Sequence, residues 1–228
     1  MASPPLSMKL YKFMCLEPFE RVADALLGRR LYCPTPDQLN DPLEGLLGDV
    51  CQETEWPRTL DSQLEAGFRK LFETDRQLSK VRVCCFSGRP DSIQMWSYYT
   101  RGHNGLCLEL EMSQYASQIT KIEYVNDIAK LSLKTPVERL AFKQLNWSHE
   151  EEHRFIIPND LQHKFLPVQI ESVLIGTGTD RRFLLPLFEL CRHMRLRREI
   201  ASFSTKGEFH RFQLKPDVPY LDRLRTDD

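Results

Sequence analysis

The stretch Trp147-Ser148-His149-Glu150-Glu151-Glu152-His153-Arg154-Phe155 limits what this chain can fold into more than any other. It sets acids, histidines and an arginine behind a tryptophan, and Ile156-Ile157-Pro158 continue as an apolar run that ends in a turn. The apolar end predicts a strand, and a strand alternates its side chains between two faces. Glu150, Glu152 and Arg154 then share one face, and Glu151, His153 and Phe155 share the other. Phe155 is expected in the core, which leaves the charged face open for chemistry.

The rest of the chain alternates short strand patterns with helical ones. Leu10–Phe13, Arg30–Cys33, Lys80–Ser87, Leu106–Glu111, Ile122–Val125 and Val168–Ile175 read as strands, and Ile200–Phe203 with Phe209–Leu214 as a hairpin. Helices are expected after Pro18 and closed by Gly28, after Trp56-Pro57, around Ile93, Met95, Trp96 and Tyr99, over Pro136–Leu145, and after Asp180 or Thr179, either of which can cap. No repeat, low-complexity block or linker interrupts this order. It predicts one α+β domain, with its core at about residues 8–216, built as a split, mixed or antiparallel sheet with flanking helices.

Composition narrows the class. The chain has 228 residues, of which 41% are hydrophobic and 28% charged, enough apolar mass for a sizeable core. The formal net charge of -1 argues against nucleic-acid binding through overall charge. The 7 cysteines are odd in number and lack a C-x-x-C spacing, so they predict neither a disulfide framework nor a zinc ribbon. Free thiols suit a reducing cytoplasm. No apolar run approaches the ~20 residues of a membrane span.

Three groups of residues carry candidate chemistry. In the first, Glu150 and Glu152 form a pair of carboxylates able to raise one another's pKa, and Arg154 can hold a phosphate or clamp an acid. A solvated strand face with a surface ion pair explains the same pattern. The second is Leu39-Asn40-Asp41-Pro42-Leu43-Glu44, a constrained loop that either binds a ligand or satisfies its own backbone as an Asx-turn. The third couples Ser87, at the end of a strand, with Trp96 and Tyr99 on one face of the next helix, either a floor for a flat heterocycle or ordinary core. Gly176-Thr177-Gly178 follows a strand and precedes a helix, but lacks both phosphate-loop patterns. His149 and His153 make no zinc motif, and no metal is expected.

Read in order, these segments resemble the bacterial domain of unknown function numbered 2971. The motifs are Tyr11-Lys12-Phe13, Leu39-Asn40-Asp41-Pro42-Leu43-Glu44, Cys85-Phe86-Ser87, Met95-Trp96-Ser97-Tyr98-Tyr99, Asn104-Gly105-Leu106-Cys107-Leu108, Lys143 to Trp147, Glu150-x-Glu152-x-Arg154 and Val173-Leu174-Ile175-Gly176. The resemblance covers the chain from about Leu10 to Leu214. More distantly the layout is similar to ADP-ribosyltransferases of toxin and phage-defence type. That similarity implies NAD as substrate and a nucleic acid or protein as acceptor. It also implies that an early strand grips the dinucleotide, a middle strand ends in a serine beside the nicotinamide ribose, and a later strand carries Glu-x-Glu. Carried over, Glu152 bonds that ribose, Glu150 aligns or deprotonates the acceptor, and Ser87 sits by the ribose. Trp96 or Tyr99 stacks near the nicotinamide, and Tyr11 or Lys12 meets the adenosine side. Asn40, Asp41, Glu44 and Arg154 complete the expected pocket.

Two other readings use the same residues. A metal-dependent nuclease would hold a divalent cation on Asp41, Glu44, Glu150 and Glu152, with Lys143 at the phosphate. A non-enzymatic domain would sense a nucleotide or bind a partner, with Arg154 as a structural clamp on Glu44 or Asp41.

Overall fold

The structure is a computed structural model that describes residues 7–41, 78–127, 131, 134–158, 162 and 164–214. Pro42, Leu43, Glu44 and the helix expected after Trp56 lie outside the described residues. In chain order the elements are β1 (Lys9–Cys15), α1 (Phe19–Gly28), β2 (Arg30–Tyr32), β3 (Arg82–Ser87), α2 (Ile93–Tyr99), β4 (Gly105–Glu111), β5 (Ile119–Lys121), β6 (Glu123–Val125) and α3 (Pro136–Arg139). There follow β7 (Phe142–Gln144), a 3-10 helix (Leu145–Glu150), β8 (Glu152–Ile157), β9 (Phe165–Pro167), β10 (Gln169–Gly176), α4 (Arg181–His193), β11 (Arg197–Phe203) and β12 (Phe209–Gln213). This is a mixed α/β protein with a large mixed sheet, compatible with α+β. The chain forms two compact units, each assembled from separated segments.

The first unit comprises Met1–Leu31, Phe86–Ser117 and Pro167–Asp228. Its strands run in the order β12-β11-β10-β4-β1-β3, with β3 represented by its last residues. All neighbours are antiparallel except β10 and β11, which run parallel on either side of α4. β4 is buried along all but its last residue, because side chains cover both of its faces. Register fixes those faces, since directly opposed residues point the same way. Phe13, Cys107 and Leu174 line one face, where α2 packs Met95 and Trp96 onto them. Leu108 and Val173 line the other, where Arg198 of β11 lies over the Phe188 ring of α4. α1 buries Val22, Ala25 and Leu26 at helical spacing, and it ends where Arg29 turns left-handed at φ 46.

Gly176-Thr177-Gly178 has a steric explanation. A Cβ on Gly176 would lie 2.2 Å from the His103 carbonyl oxygen, and one on Gly178 would lie 3.0 Å from that of Gly102. The loop pressing on them is itself left-handed at Arg101, Gly102 and His103. These glycines admit a neighbouring backbone at close range.

The second unit comprises Tyr32–Cys85 and Gln118–Leu166. Its strand order is β3-β8-β5, and β6 pairs in parallel with β7. Leu78, Val81, Val83 and Leu140 form its core, with Leu39, Val137 and Ile156 packed against them. Two expectations are corrected here. The helix expected over Pro136–Leu145 is one turn, opened by a capping box between Thr135 and Glu138, after which the chain extends so that Lys143 pairs opposite Tyr124. The strand expected over Ile122–Val125 divides, because the Ile122 N–H donates to Glu152 O whereas that of Glu123 donates to Ala141 O.

Candidate functional site

Glu150, Glu152 and Arg154 do not share a strand face. Glu150 closes the 3-10 helix, Glu151 turns left-handed at φ 43, and β8 begins at Glu152. Glu152 and Arg154 do alternate onto one face as period two requires, but that face is buried, while Phe155 is half-exposed. The expectation that Phe155 takes the core side is therefore reversed. Charge pairing within the fold, rather than hydrophobicity, decides the orientation.

Those charges form a buried quartet. Lys143 Nζ donates to Glu150 Oε2 at 2.6 Å and to Glu152 Oε2 at 3.2 Å. Arg154 holds Glu152 with two prongs, Nε to Oε1 at 2.7 Å and a terminal nitrogen to Oε2 at 2.9 Å, and its other terminal nitrogen donates to Leu140 O at 2.9 Å. The side chains of Lys143, Glu150, Glu152 and Arg154 are 1%, 3%, 5% and 0% exposed. Two cations thus neutralise two anions away from water, the condition under which such groups tolerate burial. Lys143 Nζ also lies 4.7 Å from the Trp147 ring centroid, and the Tyr124 hydroxyl accepts from the Glu152 N–H at 2.8 Å. Burial alone would push the Glu152 carboxyl up. Arg154, then Lys143 and the Cys85 thiol, outweigh it and hold the group at about 2. Glu152 is a fixed, ionised carboxylate, which replaces the expected pair of acids raising one another's pKa. Lys143 stands between Glu150 and Glu152, where the nuclease reading needs a metal. Among the described residues no group of three or more His, Cys, Asp or Glu is arranged to hold a metal ion. Asn40 and Asp41 also belong to this unit, and Asp41 is buried.

The remaining candidates lie in the first unit. Tyr11 stands directly opposite Ser87 across β1 and β3. The Ser87 hydroxyl donates to Arg89 O at 3.0 Å and accepts from the Arg89 N–H at 3.3 Å, which holds the turn after β3. Lys12 alternates to the opposite face of β1, paired with Leu108, so it does not accompany Tyr11. Trp96 is entirely buried, edge-on to Phe13 and stacked on His103, with its indole N–H donating to Pro90 O at 2.7 Å. It is core, and no ring face is left for a ligand. Tyr99 is partly buried against the same cluster.

A second charged cluster escaped the sequence reading. Glu109 of β4 is 2% exposed, and it is met by Lys9 of β1 at 2.8 Å, Arg211 of β12 at 2.5 Å and Ser172 of β10 at 3.3 Å. Arg211 and Arg197 also grip Glu199 of β11, at 2.6 Å and 2.8 Å. Burial pushes the Glu109 carboxyl up, and hydrogen bonds from Lys9 and Arg211 pull it below its usual value. The available signal was a lone acid flanked by leucines inside a strand. Its partners stand about a hundred residues away on either side. Comparison with protein-family models, curated proteins and solved structures found no match. No helix among the described residues is long and apolar enough to cross a membrane.

Proposed function

We propose that this protein is an ADP-ribosyltransferase-like enzyme that cleaves the nicotinamide–ribose bond of NAD and passes ADP-ribose to a nucleic acid or protein, in a toxin or phage-defence setting. The observation that carries this reading is the ionised Glu152 carboxylate at the start of β8, held on two prongs by Arg154. In the first unit Tyr11 of β1 faces Ser87 at the end of β3. In the second, β8, which opens with Glu152, is the neighbour of β3. Bond cleavage builds positive charge on the ribose, and an ionised carboxylate fixed by Arg154 stabilises that charge without having to reorganise. Glu152 acts here as an electrostatic partner rather than a proton carrier, and Glu150, held by Lys143, aligns the acceptor.

The test uses adenylate-labelled NAD with mixed nucleic-acid and protein acceptors. Wild-type protein transfers label, and Glu152→Gln, compared below the melting temperature of both proteins, loses about a hundredfold or more in rate. Wild-type protein that neither releases nicotinamide nor labels any acceptor refutes the proposal. The two-pronged grip of Arg154 on Glu152 favours one alternative, a nucleotide-sensing domain in which Arg154 is a structural clamp. Thermal stabilisation by NAD without turnover distinguishes it.

A further inference from the structure

We propose that the first unit carries a phosphate-binding platform, formed by Lys9, Arg197 and Arg211 over a floor of Glu109, Ser172 and Glu199. The argument begins with register. Ser87, Tyr11, Glu109, Ser172 and Arg197 are directly opposed in turn across β3, β1, β4, β10 and β11, so one polar row crosses five strands on the face that bears α2. Beside it the same face is apolar, with Phe13, Cys107 and Leu174 under α2. The fold does not need a polar row there, and burying Glu109 and Ser172 costs stability unless both are paired.

Exposure then separates the signs. The carboxylates lie at the bottom, with Glu109 2% and Glu199 9% exposed. The cations carry the solvent surface, with Lys9 45%, Arg197 46% and Arg211 28% exposed. Every carboxylate is supplied with donors, while donor capacity remains on the cations. Lys9 Nζ has three N–H groups and uses one, on Glu109. One terminal nitrogen of Arg211 has no partner among the described residues, since the other, with Nε, makes the bonds to Glu109, Ser172 and Glu199. The three cations exceed the two floor carboxylates by one charge. Glu171 lies within electrostatic reach of Lys9, and the Glu111 carboxylate opposite Lys9 is bonded to Ser7 and Ser113. The most exposed donors of the row are therefore the three cations, ordered by Glu109 and Glu199 beneath them, with the partly exposed Glu111 and Glu171 confined to the Lys9 end. That arrangement suits phosphoryl oxygens, which accept several charged hydrogen bonds at once. Tyr11, half-buried at the edge of the row, offers a ring to a phosphate that belongs to a nucleotide.

The experiment titrates wild-type protein by calorimetry with inorganic phosphate, AMP and ADP-ribose separately, at low and high salt. Binding is expected for at least one probe and weakens as salt rises. Binding of AMP or ADP-ribose but not phosphate identifies a nucleotide as the source, and binding of phosphate alone identifies the free anion. Lys9→Met with Arg197→Met removes the two most exposed cations and leaves Arg211 on its carboxylates. It is expected to keep the wild-type fold by circular dichroism and to weaken binding tenfold or more. The platform does not depend on the NAD-cleaving reading, because phosphate or AMP binding survives a protein inactive on NAD. Absence of binding for all three probes, or binding that the paired substitution leaves intact, overturns the proposal.

Discussion

Replacing Arg154 with Met should destabilise the protein severely, and the size of the loss follows from the quartet. Arg154 supplies two of the bonds to Glu152 and satisfies Leu140 O, with no exposure of its own. Its removal takes the two-pronged cation from Glu152 and leaves that buried carboxylate with Lys143 and the Cys85 thiol. Breaking a buried pair from one side costs about 3–5 kcal/mol. The titration of Glu152 gives a similar figure by a second route. A carboxyl held at about 2 against an ordinary 4.5 contributes about 3 kcal/mol to the native state. In a chain of this size the loss corresponds to a melting temperature lower by about 6–10 °C. Because the folded value is depressed, the contribution is complete above pH 4.5 and disappears as pH falls toward 2. Melting curves by circular dichroism at pH 7, 5, 4 and 3 test both statements. The gap between wild type and Arg154→Met should be widest at pH 7 and 5 and should narrow below pH 4.5. A variant melting within about 2 °C of wild type at pH 7, or a gap independent of pH, refutes the reasoning. Replacing all four members with apolar residues of similar size should recover much of the loss, because none of these four charges is then left buried.

Two further outcomes follow from other parts of the fold. Gly176→Ala drives a Cβ to 2.2 Å from a backbone carbonyl and should cost about 2–3 kcal/mol, read as a lower denaturation midpoint in urea; a midpoint equal to wild type removes the close-approach explanation. Burial pushes the Cys191 thiol up to about 12 and the Cys107 thiol well above its ordinary value. Native protein treated with iodoacetamide at pH 8 should therefore be alkylated at Cys15, which is partly exposed, and spared at Cys107 and Cys191; rapid modification of either buried thiol, seen by mass spectrometry, contradicts their placement.

Local patterns made much of the fold legible. Period-two alternation and turn residues located β1, β4 and β10, and the proline and glycine bounding α1 marked both of its ends. The misreadings share a cause, which is that tertiary charge pairing overrode local preference. Hydrophobicity assigned Phe155 to the core, but Glu152 and Arg154 took that side because Lys143 and Leu140 O meet them there. Nothing local announces the left-handed turn at Glu151 that separates Glu150 from the strand. Alternation placed Glu109 correctly on its strand without showing that it is buried, since Lys9 and Arg211 come from the far ends of the chain. Trp96 and Tyr99 were rightly paired on one helix face, and Phe13 and His103 then enclosed the tryptophan ring.

The central proposal is that Glu152 serves as a fixed, ionised carboxylate whose charge stabilises the positive ribose built as NAD is cleaved. Its most direct test is the rate of nicotinamide release from NAD by wild-type protein and by Glu152→Gln at pH 7, each held well below its own melting temperature. The account predicts steady release by wild type and a hundredfold or greater loss in the variant, with NAD affinity little changed. No release by wild type, or equal rates in the two proteins, contradicts it.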